Sequence, residues 1–314
     1  MLKAAVVYMK PVFANPDANL AHAEKLIHKA ALASTQIILF PEFFTTGFAV
    51  NDALIPAICK SSQVPLHLAS LSQKYNIAIG GSYLYYDKEK KNIYNTFGLF
   101  FPSGETFFHN KDIPTALENF CYTNGDEISA FATPLGRIGI AMCWEQLRSQ
   151  TVLRMQGQVD FVLAASCWWD FTPEDGEFVF QKFSPINQTL AANAPITFAK
   201  LLGVPVIHAS CTGSFEGLSM SGSQKKCQRP ICSKTLAVSA DGNLLLPPSE
   251  QEGCYFVEFL PQKTGSKTSI PTSAYWIPSI PEPMLQGFYT LNQKYQEIYQ
   301  RRVLPLCLQG DVSV

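Results

Sequence analysis

The sequence predicts an α/β fold in which a mixed sheet is covered by helices, and three observations carry that prediction. Apolar runs at 4–9, 37–40 and 160–166 have the length and composition of buried strands. Segments of helical periodicity separate several of them, and turn-bounded hairpins interrupt the alternation. Hydrophobic residues make up 47% of the 314-residue chain and charged residues only 16%. The charged share is below the ~25% of an average globular protein, so the chain is core-rich.

In chain order, residues 4–9 form the first strand. Asn15 is a good N-cap with Pro16 at the first helical position, and Leu20, Ala23, Ile27 and Ala30 recur at helical spacing, so a helix runs to about Ser34. A short strand over 37–40 stops at Pro41-Glu42. A second helix spans 66–75, followed by a strand over 77–83. Two hairpins come next: 95–101 returns through Pro102-Ser103-Gly104 as 106–109, and 128–133 returns through Pro134-Leu135-Gly136 as 137–142. A helix over 145–156, a strand over 160–166, a helix within 187–202 and a strand over 204–210 follow, with late strands near 235–239 and 255–260. From Pro261 the chain is rich in Pro, Ser and Thr. The expected division is therefore one domain over 1–260 and, over 261–314, an extended arm with a short helix that packs on the body or on a partner subunit.

Composition excludes several function classes. Acidic residues number 25 and basic residues 24, a net charge of -1, so no global field exists to hold nucleic acid. The longest strongly apolar stretch, 161–169, has nine residues, against the ~20 needed to cross a bilayer. The run at 4–9 is shorter than a signal-peptide core and lacks a small-residue cleavage site. Nine cysteines, an odd count in a long apolar chain, read as reduced thiols of a cytoplasmic protein. Cys211, Cys227, Cys232 and Cys254 have no accompanying CxxC or HxxxH, so no metal and no cofactor is expected.

Three residues share one local design, a polar or ionisable side chain just past the end of an apolar strand, where α/β sheets bind ligands. Glu42 lies among Pro41, Phe43 and Phe44, and desolvation there raises a carboxyl pKa toward that of a useful base. Lys111 follows the strand at 106–109; taken alone, it reads as a solvated charge. Cys143 sits where a strand runs into a helix, beside free backbone N–H groups and the positive end of the helix dipole. That placement is expected to lower the thiol pKa and favour thiolate. A single cysteine is more often inert and buried. A papain-like pairing is not favoured, because nothing around Cys143 matches that cysteine context. Of the five histidines, His109 is expected to face away from Lys111.

Taken together, Glu42 after a strand, Lys111 in KDIPTALE and Cys143 in CWE resemble the nitrilase superfamily of carbon–nitrogen hydrolases, over roughly residues 1–260. The resemblance implies a four-layer αββα sandwich, commonly paired as a homodimer or higher homo-oligomer whose C-terminal arm reaches the partner. It implies Glu42 as general base, Lys111 as the cation of the oxyanion site and Cys143 as nucleophile. Glu118 stands where many members carry a second structural or catalytic glutamate, which would hold Lys111 charged or orient the hydrolytic water, and an ordinary surface carboxylate is the alternative. The Trp144 backbone N–H would complete the oxyanion site. Trp168 and Trp169 share the rim of Cys143 and are candidates for an apolar pocket wall or for core packing. The expected reaction is hydrolysis of a small amide-type substrate through a cysteine thioester. Nitrile hydrolysis is the alternative, and a binding module on an inactive fold is the non-enzymatic one. The segments 170–184 and 212–232 depart from the usual pattern and are expected near the pocket mouth.

Overall fold

A computed structural model describes residues 1–126, 128–219, 225–262, 269–270, 276–277 and 280–310. The first half contains β1 (Leu2–Met9), α1 (Pro16–Leu32), β2 (Ile37–Leu39), α2 (Ile55–Cys59), α3 (Val64–Tyr75), β3 (Ala78–Asp87), β4 (Asn92–Phe100), β5 (Thr106–Asn110), β6 (Ala130–Thr133) and β7 (Gly136–Met142). The second contains α4 (Ser149–Met155), β8 (Phe161–Ser166), α5 (Glu177–Leu202), β9 (Val206–Cys211), β10 (Ser214–Leu218), β11 (Lys226–Pro230), β12 (Leu236–Val238), β13 (Leu244–Leu246), β14 (Gly253–Phe259), α6 (Glu282–Ile298) and α7 (Leu304–Gly310).

The strands pair in the order β5-β4-β3-β2-β1-β9-β8-β7-β6, with β14 beside β1 and β12 and β13 beside β9. Among the described residues the two halves of this ladder pair only at the end of β1, where Tyr8 and Met9 pair with Ser210 and Cys211. Elsewhere they lie face to face, which the side-chain alternation of each strand makes evident. Ala4 and Val6 of β1 join Ile140, Leu163 and Ala209 in a core between the half-sheets. Ala5 and Val7 point the other way, onto Ala23, Ile27 and Leu68 of α1 and α3. On the far side Ala141, Val162 and Val206 face Val152, Phe198 and Leu202 of α4 and α5. Three apolar cores separate four layers, helix, sheet, sheet, helix, and this is the αββα sandwich.

The first helix forms as expected: the Asn15 side chain accepts from the Ala18 N–H at 3.1 Å, and Asn19, Ala23, Ile27 and Ala30 make its buried face. Three expectations need correction. The helix over 145–156 is two pieces, a 3₁₀ turn over Cys143–Leu147 and α4, because Arg148 between them is extended and its guanidinium is drawn to Asp112 and the Ile113 carbonyl. The helix within 187–202 starts at Glu177, through Pro185, where Phe183 packs on Phe171 at 6.0 Å between ring centres; long-range packing overrides a weak local signal. The helix of the C-terminal arm is not short: α6 has 17 residues and lies on its own chain through Met284, Phe288 and Tyr295. Parts of the 212–232 segment and of the 261–314 arm lie outside the described residues.

Candidate active site

Parallel pairing gathers the chemistry at one edge. β2, β1, β9, β8 and β7 run side by side in the same sense, and β5 runs with them through two antiparallel steps from β3. Their C-terminal ends therefore deliver Glu42, Lys111, Cys143 and Cys167 to a common edge, the position predicted for ligands of α/β sheets. Three of the turns that follow are held in the left-handed region: Phe43 has φ 55°, Ala116 φ 52° and Cys143 φ 50°. That conformation costs a non-glycine residue about 1–2 kcal/mol and is a mark of functional sites when the surroundings enforce it.

Each predicted polar residue is buried, and they converge. Glu42 is 0% exposed. Its Oε1 accepts from Lys111 Nζ at 2.9 Å and from Asn95 Nδ2 at 2.9 Å, and its Oε2 accepts from the Cys167 N–H at 2.8 Å. Asn95 is fixed in turn by Ser82, whose hydroxyl donates to Asn95 Oδ1 at 2.7 Å and accepts from the Phe43 N–H at 3.2 Å. Lys111 Nζ also donates to Glu118 Oε2 at 2.7 Å, and that oxygen accepts from the Thr115 N–H at 3.0 Å and from the Tyr122 hydroxyl. Glu118 is thus no surface carboxylate. Carboxylate oxygens of Glu42 and Glu118 and the sulfur of Cys143 lie within 4.8 Å of one another. The Lys111 ammonium already sits between the two carboxylates, so positive charge at the centre is supplied by the chain itself.

Charge states follow from burial and neighbours. Desolvation pushes the Glu42 carboxyl up, against the pull of Lys111, to about 7. Desolvation alone would lower Lys111, but Glu118 and Glu42 more than offset it and hold the ammonium charged. The Cys143 thiol is pushed well up by desolvation and by the Glu42 carboxylate; Lys111 and the Trp144 backbone N–H oppose this and lose. The expectation of a lowered thiol pKa is therefore corrected. The turn after Cys143 is one short 3₁₀ turn with little dipole, and two carboxylates face a dry sulfur.

Trp144 and Trp168 belong to an aromatic layer above this edge. Their rings are 5.9 Å apart, and Phe288 of α6 stands edge-on to Trp144 at 4.7 Å. The Trp168 indole N–H donates to Asn187 Oδ1 at 2.9 Å, so α5 fixes its orientation. Beside Glu42 a cleft of about 450 Å³ is lined by Phe48, Cys167, Cys211 and Phe215, among others. A groove of about 580 Å³ lies between α1 and α3, and none of the predicted site residues lines it. The four cysteines considered for zinc do not converge among the described residues.

Sequence reasoning missed the polar pair behind the site. His109 does not face away from the chemistry: it is buried and its Nε2 lies 3.0 Å from both carboxylate oxygens of Glu145. Residues two apart on a strand share a face, so the spacing of His109 and Lys111 carried the signal. A glutamate two residues past Cys143, in a segment this apolar, was the second signal, because a buried carboxylate demands a partner.

The protein is thus an αββα sandwich that gathers a buried glutamate, lysine and cysteine at its strand ends. The chain belongs to the carbon-nitrogen hydrolase family, whose family model matches residues 3–266. A bifunctional nitrilase/nitrile hydratase of Nicotiana tabacum is 32% identical over 167 residues, 46% of this chain and 47% of that protein. One of Lupinus angustifolius is 33% identical over 165 residues, with the same coverage. The matched region thus spans about half the length of these curated relatives. Among solved structures, a carbon-nitrogen hydrolase from Helicobacter pylori G27 superposes with TM-score 0.68 at 19% identity, covering 82% of this chain and 88% of that one. An amidase from Nesterenkonia sp. AN1 superposes with TM-score 0.62 at 15% identity, covering 82% and 93%. No helix among the described residues is long and apolar enough to cross a membrane.

Proposed function

We propose that the protein hydrolyses a small amide-type substrate through a thioester on Cys143, releasing ammonia or an amine. The observation that carries this reading is the position of Glu42, a dry carboxyl raised to about 7 beside both the ammonium of Lys111 and the thiol of Cys143. With the thiol protonated at rest, Glu42 takes its proton as sulfur attacks the carbonyl carbon. The oxyanion that develops is stabilised by Lys111 Nζ and the Trp144 N–H. Glu42 then returns the proton to nitrogen, the C–N bond breaks and the amine leaves. Water deprotonated by Glu42 attacks the thioester, the C–S bond breaks, and the thiol is restored with a carboxylic acid as product. Glu118 touches no reacting atom in this sequence; it anchors Lys111.

Nitrile hydrolysis is the second reading, favoured by the identity to relatives named as nitrilases. A nitrile first gives a thioimidate, and water must add before nitrogen can leave, so the two readings part at the leaving step. The test is kcat/KM on amide and nitrile pairs that share one side group, with Cys143→Ala as blank. A preference for the amide is expected; a consistent preference for the nitrile by about tenfold, ~1.4 kcal/mol of transition-state stabilisation, reverses the assignment. A protein that binds these compounds and turns over none is the binding module.

The division into a hydrolase body over 1–260 and an arm over 261–314 belongs to the same proposal, as does a homodimer. The face of the arm turned away from its own body, with Tyr289 47% and Leu306 44% exposed, is the surface that would meet a partner.

A further inference from the structure

Glu145 joins the two chemically important loops through a single carboxylate. Its Oε2 accepts from the N–H of Met142, the residue before Cys143, at 2.7 Å. Its Oε1 accepts from the N–H of Asp112, the residue after Lys111, at 2.9 Å. Both oxygens also face His109 Nε2 at 3.0 Å, while His109 Nδ1 lies 2.6 Å from the Ile128 carbonyl oxygen. Since both ring nitrogens face acceptors, both carry hydrogen and the ring is an imidazolium. Desolvation alone would lower the His109 pKa, yet Glu145 and the Ile128 carbonyl raise it, in agreement with that geometry.

We propose that the buried Glu145–His109 pair is a positioning device that ties the Cys143 turn to the Lys111 strand end and sets the spacing between nucleophile and ammonium. Neither side chain touches a reacting atom. The inference rests on the roles given above to Cys143 and Lys111. A carboxylate is required because acceptors must face two N–H groups at once; an amide turns one of its ends into a donor aimed at a donor. His109 completes the pair by neutralising a charge that is 0% exposed. A helix-capping role alone would need only the bond to Met142. The bond to Asp112, 33 residues away in sequence, is what makes the residue a link between the two loops.

The experiment is Glu145→Gln, read by kcat, KM, melting temperature and the rate at which iodoacetamide alkylates Cys143, located by mass spectrometry. The expected result is a folded protein whose kcat falls about a hundredfold while KM moves less than about threefold, because a displaced nucleophile spoils the reaction and not the binding. Alkylation of Cys143 slows by about tenfold, since the sulfur no longer sits beside its base. A folded Glu145→Gln with wild-type kcat and wild-type alkylation overturns the proposal. If Glu145→Gln does not fold, His109→Gln, which leaves both backbone bonds of Glu145 in place, is read the same way, with a kcat loss of about tenfold expected and an unchanged kcat overturning. If wild type turns over neither amides nor nitriles, the functional reading fails by itself. The alkylation rates then still decide the positioning role, because they need no substrate.

Discussion

Two parts of the molecule meet at Cys143, and they are put together differently. Below it, Glu42, Lys111 and Glu118 are polar, buried and joined by directed hydrogen bonds of 2.7 and 2.9 Å. Their positions come from strand register and from turns held at positive φ. Above it, Trp144, Trp168, Trp169, Phe171 and Phe288 come from three separate stretches of chain and meet through ring contacts 4.7–6.2 Å apart. The floor is held by short, directed hydrogen bonds between a few buried groups, whereas packing above it is largely non-directional and tolerates repacking. Changes in the floor should therefore appear in kcat, and changes in the roof in stability and KM.

The largest effect expected is at the nucleophile. Cys143→Ala should lower kcat by about a thousandfold or more, since Cys143 is the thiol grouped with the carboxylates of Glu42 and Glu118. Near-normal hydrolysis of a validated substrate by that variant would remove Cys143 from the chemistry. Next comes Lys111→Arg, which keeps the charge but not the shape; two carboxylates at 2.7 and 2.9 Å leave no room for a planar fork. A loss of about a hundredfold in kcat is expected, and wild-type rates would show that the floor tolerates repacking like the roof.

The pH dependence gives a smaller, graded effect. Glu42 accepts the thiol proton only when ionised, so kcat/KM should fall about tenfold per pH unit below the group's value of about 7. The same shift bears on stability. Because the folded-state value lies above the ordinary 4.5, the native protein keeps a proton between pH 4.5 and about 7 that the unfolded chain has released. Burial of Glu42 therefore costs stability progressively as pH rises through that window. The melting temperature of Glu42→Gln relative to wild type should rise between about pH 4.5 and about pH 7; a flat difference would mean that the carboxyl is not raised.

The smallest effect on rate is expected in the roof. Phe288→Ala should lower stability by about 3 kcal/mol and raise KM, with kcat changed by less than about threefold, because the ring is buried against Trp144 but reaches no proton in transit. A kcat loss comparable to that of Lys111→Arg would erase the distinction between floor and roof.

The same contrast explains what the sequence made legible. Glu42, Lys111 and Cys143 each stand next to an apolar strand, so a few neighbouring residues announce them, and alternation along β1 and β8 separates the inner core from the helix-covered faces. The roof has no such local signature. The start of α5 at Glu177, the hairpin of β10 and β11 and the placement of α6 over Trp144 depend on contacts between segments as far apart as Phe171 and Phe288. The Cys143 thiol departs from its sequence expectation for a related reason. A dipole argument uses the turn after Cys143, while the outcome is set by burial and by Glu42, about a hundred residues earlier.

The central claim is that Cys143 carries the acyl group. Wild-type protein quenched during turnover of a small amide and digested with trypsin should show the acyl mass on the peptide of residues 138–148, and only there. Turnover with that peptide unmodified, or with the adduct on Cys167 or Cys211 beside Glu42, would contradict it.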